Sequence, residues 1–175
     1  MAELNSRDRL QPSLLDRLTD SAPSDSQEAL EARVLTRQQL RHAVLRDLSW
    51  LFNATRAEPE PASTREDEVR LWQHNPHARH SVLNYGMPAF AGTTLSSMDT
   101  QQIERVVAAV IKDFEPRIAA DTLAVSVRMD PDNHHNTLQL TIRGQMWNQP
   151  VPLELLLAAD LDIETGNTRV RDLRP

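Results

Sequence analysis

The chain has 175 residues, a mass of 19.8 kDa and a formal net charge of −6. That length suits one domain with tails, and the acidic balance argues against nucleic acid as the main partner. No cysteine occurs, which excludes disulfides and thiolate metal sites, and no apolar run reaches the roughly 18 residues of a membrane span. Apolar residues make up 39 %, below the usual globular share, so part of the chain is expected outside a core. No apolar stretch follows Met1, so no signal peptide is expected and the expected location is cytoplasmic. Lys112 is the only lysine. Arginine suits planar, bidentate contacts, although a GC-rich genome would give the same bias.

Residues 1–35 read as an N-terminal docking segment and linker, and residues 36–175 as a single α+β domain. Pro12 can open a short helix in which Leu14, Leu15 and Leu18 form one apolar stripe beside Asp16 and Arg17. Thr19 to Gln27 is rich in Asp, Ser and Pro and reads as a linker. So short a helix does not hold itself together in water; it docks on its own domain or, as the linker behind it favours, on a partner.

Thr36 and Gln39 form a predicted capping box, with Leu35 and Leu40 as its staple. Leu40, Val44, Leu48, Leu51 and Phe52 then share one helical face to about residue 54. Residues 57–68 are charged and proline-containing and read as a loop; a helical turn is expected over Val69 to Trp72. Ser81-Val82-Leu83-Asn84-Tyr85-Gly86 reads as a turn packed on the core, with Gly86 free to take positive φ. A second long helix is capped by Asp99, with Gln102 three residues on and Met98 and Ile103 as a staple. It carries Ile103, Val106, Val107, Val110, Ile111 and Phe114 at helical spacing.

The period then switches to two. Leu123, Val125, Val127 and Met129 alternate with polar or small residues, as do Leu138, Leu140 and Ile142, then Val151, Leu153, Leu155 and Leu157. Turns are expected at residues 130–133 and 148–150, and a last hairpin at Thr165-Gly166-Asn167 leads into Thr168–Val170. The expected fold is therefore α+β: two main helices packed on one face of a small antiparallel C-terminal sheet, with an extended N-terminal segment. The last strands, ending around Arg169, Val170 and Arg171, carry few of the residues that blunt a sheet edge besides Pro152 and Arg169. That suggests a partner strand; a short covered edge is the plainer alternative.

Between the second helix and the sheet lies Phe114-Glu115-Pro116-Arg117. Proline stops the helix at the residue before it, leaving an acid and a forked base at a corner. An interface role uses both charges. An internal salt bridge is the second reading. Catalysis is the third, since glycoside hydrolysis needs a second carboxylate across a cleft, and none stands out. His74, His77 and His80 have metal-like spacing, but Pro76 disturbs any helix there and solvated loop histidines are the favoured reading. His134 and His135 fall in a predicted turn. No Gly-x-Ser-x-Gly and no phosphate-binding glycine loop occurs among the four glycines. The Trp and Phe residues are expected in the core. No cofactor, metal or small-molecule substrate is expected.

Three passages together resemble the TssE family, the short wedge subunits of type VI secretion baseplates. That family is similar to gene product twenty-five of contractile phage baseplates. The passages are the Leu-Leu-Asp-Arg-Leu run within Pro12–Asp20, the Ser81–Gly86 turn and the Glu115-Pro116-Arg117 motif. The long 57–68 loop departs from the pattern. The resemblance implies a structural, non-enzymatic subunit joining the wedge core (TssF, TssG and TssK) to the first layer of the contractile sheath (TssB and TssC). It implies that sheath strands extend the sheet by β-augmentation, and that the Glu-Pro-Arg corner contacts the helical bundle of the wedge core. A peptidoglycan glycosidase and a generic strand-edge adaptor are the alternatives.

Overall fold

The computed structural model describes residues 13–19, 23–24, 35–60, 63–90, 99–129, 137–146 and 152–174. After a short helix α1 (Leu14–Leu18), the first long helix α2 (Arg37–Asn53) begins as the sequence predicts. The Gln39 amide donates to Thr36 Oγ1 at 3.2 Å and the Thr36 amide to Gln39 Oε1 at 2.8 Å. Leu40, Val44, Leu48, Leu51 and Phe52 are buried, and Leu35 packs against the same cluster. The second long helix, here α5 (Thr100–Phe114), is capped by Asp99, which accepts from the Gln101 amide at 3.0 Å. Ile103, Val107, Val110 and Ile111 face the core. Pro12, Met98 and Val151, His134 and His135, and the turns predicted at 130–133 and 148–150 lie outside the described residues.

Four strands follow: β1 (Ala124–Met129), β2 (Thr137–Met146), β3 (Leu153–Asp162) and β4 (Thr168–Asp172). They form an antiparallel meander in the order β1-β2-β3-β4. Leu138, Leu140 and Ile142 on β2 and Leu155, Leu157, Ala159 and Leu161 on β3 are buried on one face. On that face α5 lies along β1 and α2 along β4. The expected α+β architecture is therefore the one observed. Each fully buried aliphatic side chain in this layer contributes about 1.5–3 kcal/mol relative to exposure.

Two segments differ from expectation. A helix α3 (Glu66–His74) begins inside the stretch read as a loop, because Glu66, Asp67 and Glu68 place negative charge on its first turn. A one-turn helix α4 follows (Pro76–Arg79), with Pro76 at its start, where its missing N–H costs nothing. Neither helix buries a residue. The predicted turn is a 3-10 turn, Val82–Asn84, and only part of it packs inward. Asn84 and Met87 are buried and Tyr85 reaches the core, while Val82 and Leu83 stand exposed. Gly86 takes φ 124°, and a Cβ there would lie 2.5 Å from the Ala54 carbonyl oxygen. That closeness lets the Met87 amide donate to Ala54 O at 2.7 Å and the Arg56 amide to Met87 O at 2.9 Å. The turn is thereby laced to the chain leaving α2.

Candidate docking site

The proline corner forms as predicted. Glu115 is the C-cap of α5, its amide donates to Ile111 O at 2.8 Å, and its backbone (φ −126°, ψ 73°) is non-helical, as a residue before proline prefers. The chain then turns back through an Ile118 amide bond to Glu115 O at 3.1 Å, and the Ala119 amide ties it to Gln145 O at 2.8 Å at the end of β2.

The turn folds Arg117 onto Glu115. Arg117 Nε donates to Glu115 Oε1 at 2.6 Å and Nη2 to Oε2 at 2.5 Å, a forked pair. The same Nη2 donates to Asp47 Oδ2 on α2 at 2.5 Å. Glu115 is only 2 % exposed. The pair is thus engaged inside the chain, as in the internal-salt-bridge reading, and the exposed member of the corner is Pro116. Burial works against the Arg117 charge, but bonds and attraction from Glu115, then Asp47, hold the guanidinium above its ordinary pKa. Its Nη1 is buried without a hydrogen-bond partner.

The charges continue along α2 to the N-terminal helix. Arg46 Nε donates to Asp47 Oδ1 at 2.8 Å and Arg46 Nη2 to Asp16 Oδ1 at 2.8 Å. Asp16 also closes the capping box of α1, accepting from the Ser13 hydroxyl at 2.6 Å and the Ser13 amide at 3.1 Å. Burial opposes ionisation of Asp16, yet the Ser13 hydroxyl, Arg46 and the Ser13 amide outweigh it and hold the carboxyl below its ordinary pKa. Glu115, Arg117, Asp47, Arg46 and Asp16 therefore alternate in sign along one line joining α5, α2 and α1. Tyr85 closes the group: its ring meets Phe114 edge-on at 5.3 Å between centroids. Burial first, then Asp47 and Glu115, raises the pKa of its phenol.

The helix α1 is thus held by its polar side. Leu14 and Leu18 are each 73 % exposed, Leu15 is partly exposed, and Arg17 points to solvent. Trp50, expected in the core, is 53 % exposed on α2, one helical turn from Arg46, whose guanidinium carbon lies 5.3 Å from the ring centroid. The three motifs singled out in the sequence converge on one ionic knot bordered by exposed apolar side chains. Sequence reasoning missed Asp47, Arg46 and Trp50; no periodic signal marks them, since the first two sit beside the helix's buried stripe.

The third group, Arg169, Val170 and Arg171, lies far along the fold on β4, an edge strand. The Asp162 amide donates to Asn167 O and the Leu173 amide to Leu156 O, both at 2.9 Å. The odd residues of β4 therefore bond β3, and the backbone groups of Thr168, Val170 and Asp172 point outward. Asn53 occupies both groups of Thr168, donating to its carbonyl at 2.8 Å and accepting from its amide at 2.9 Å. The opposite edge is shielded differently: the outward Val127 amide on β1 donates to Glu104 Oε1 of α5 at 2.8 Å.

Other candidate chemistry is dispersed. His74 Nδ1 lies 2.7 Å from Arg70 O and His80 Nδ1 2.8 Å from Asp113 Oδ2. Among the described residues no group of three His, Cys, Asp or Glu side chains is placed to hold a metal ion, and no helix is long and apolar enough to cross a membrane. A cavity at the loop after α2 is lined by Glu58 and Glu60. These carboxylates come from one loop, and Arg79 holds Glu58 at 2.8 Å while Arg56 holds Glu60 at 3.2 Å. They do not face each other across a sugar cleft.

A family model described as baseplate wedge protein gp25 matches residues 38–151, well over half of the chain. The match runs from α2 through β2 and includes Asp47, Tyr85, Glu115 and Arg117; α1, β3 and β4 lie outside it. No curated protein and no solved structure matches the chain.

Proposed function

The chain belongs to the baseplate wedge protein gp25 family, a structural family, and from that premise we propose that it is the wedge subunit of a type VI secretion baseplate, joining the wedge core to the first layer of the contractile sheath. The family match is the observation that carries this proposal. The type VI assignment rests on the Leu14–Leu18 run, the Ser81–Gly86 turn and the Glu115-Pro116-Arg117 motif, which the knot brings together.

Residues 1–35 act as the docking segment and residues 36–175 as the wedge domain. The wedge core, comprising TssF, TssG and TssK, meets the outer side of the knot: Leu14, Leu15 and Leu18 supply apolar contact and Pro116 an exposed ridge. Asp16, Glu115 and Arg117 set the position of these groups from beneath. Sheath subunits TssB and TssC meet the β4 edge, where the outward groups of Val170 and Asp172 lie beyond the rung that Asn53 occupies. Strand addition there uses main-chain bonds.

Co-purification of the chain with wedge-core and sheath subunits from the same organism tests the proposal. Stable capture of both groups is expected. Capture of neither, together with hydrolysis of peptidoglycan by the purified chain, would instead support the glycosidase alternative.

A further inference from the structure

The sheet face turned away from α2 and α5 carries an unmatched set of arginines. Cross-strand register puts Arg128, Gln139, Asp160 and Arg169 on one rung, and Arg143 four residues along β2 from Gln139. The rung between them carries the smaller side chains of Ser126, Thr141 and Ala158 and ends at Arg171 on β4. Two further arginines on this side are occupied: Arg171 by Asp160 at 2.6 Å, and Arg174 by Glu154. Arg128, Arg143 and Arg169 are exposed and have no ion-pair partner among the described residues. On the helical side Arg41, Arg46, Arg56, Arg79 and Arg117 each hold a carboxylate, while Arg17 on α1 and Arg37 at the start of α2 are exposed without one. The sheet face thus carries three spare cationic forks together, on a chain whose net charge is −6.

We infer that this face docks an acidic segment of a partner protein, with separate carboxylates seated on Arg128, Arg143 and Arg169. Guanidinium forks take carboxylates bidentately. Arg128 and Arg169 are three strand spacings apart, about 14 Å, and Arg143 stands about 13 Å along the strands from their rung. Partner carboxylates must therefore be spaced by several residues, with the chain between them crossing the small side chains of the middle rung. The pattern does not suit a phosphate backbone. Duplex nucleic acid presents a charge about every 3.4 Å of each strand, and a continuous track would run over Asp160 and Glu154. A second copy of this chain is a poor occupant, because many of its carboxylates on the helical side are already held by its own arginines. The inference does not depend on the wedge assignment. The surface is also separate from the β4 edge bonds, which lie in the plane of the sheet.

The test is an NMR titration of the labelled full chain with an alternating Glu–Ser dodecapeptide, with the Gln–Ser peptide and duplex DNA as comparisons. The triple variant R128Q/R143Q/R169Q is compared with R65Q/R70Q/R105Q, which removes three exposed arginines elsewhere. Both sets are solvent-facing, and circular dichroism confirms that each variant is folded. The Glu–Ser peptide should shift amides of β1 to β4, and the first variant should weaken it on the order of tenfold, as three exposed ion pairs imply. The second variant should bind as the parent does, and the Gln–Ser peptide should not bind. Equal binding by the parent and R128Q/R143Q/R169Q would overturn the inference, as would shifts confined to the helices. Tighter binding of duplex DNA at the same salt would overturn it in favour of nucleic acid. Self-association abolished by the same three substitutions would overturn it in favour of a second copy.

Discussion

Glu115 is buried with an arginine nitrogen on each of its oxygens, so substitutions at the two positions should not be equivalent. Removing Arg117 strands a buried carboxylate, which costs about 3–5 kcal/mol in a fully buried pair; the lower end of that range is expected because Arg117 is a quarter exposed, at 25 %. Glu115→Ala combined with Arg117→Ala should recover part of the loss, since no lone charge is left behind. Arg117→Lys should recover less, because an ammonium cannot reproduce the fork. Urea unfolding of the three variants measures this order, and a harmless Arg117→Ala would contradict the knot. Asp16 gives a pH signature. Its folded-state pKa lies below the ordinary 3.8, so its contribution is fully present above that value and is lost as pH falls through the depressed one. The Trp50 indole resonance, which senses Arg46, should stay constant from neutral pH to about 5 and shift only in stronger acid. Asp16→Asn should abolish the step.

Gly86 and the strand edges show how local geometry constrains each element. Gly86→Ala places a Cβ 2.5 Å from the Ala54 carbonyl oxygen at a positive φ. The expected loss exceeds about 1 kcal/mol, and thermal melting would show it. On β4, Val170→Pro removes one outward N–H and adds a ring at the edge. The fold should tolerate it better than Leu140→Pro, which breaks a central ladder and the core together. Sheath attachment should fall in the Val170→Pro chain while wedge binding persists; unchanged sheath nucleation would move the docking edge elsewhere. Much of this was legible beforehand. Thr36, Asp99 and the apolar repeats marked both long helices, and period-two alternation marked the strands. The start of α3 was not, because three acidic residues look like a solvated loop until they are seen stabilising a helix N-terminus. The far end of β3 also escaped, since Ala159 and Leu161 lie among Ala158, Asp160 and Asp162, a weak apolar signal.

The knot could not be read from the sequence because Asp47 lies 70 residues from Arg117, and Arg46 lies 30 from Asp16. Each is an ordinary surface charge until the fold brings them together. The exposed leucines of α1 are informative for the same reason: the sequence predicts an amphipathic stripe, and the structure attaches the helix by its other side. Deleting residues 1–20 should therefore barely change the melting temperature, because α1 buries no residue of its own. Binding to the wedge core should fall sharply. The most direct test is a three-way reconstitution, in which the chain is mixed with purified wedge core and sheath subunits and sheath assembly is followed by electron microscopy. Sheath growing only from wedges that contain the chain, and failing with the 1–20 deletion for want of wedge binding, is the predicted result. Sheath growing equally well from wedges without the chain would contradict the account.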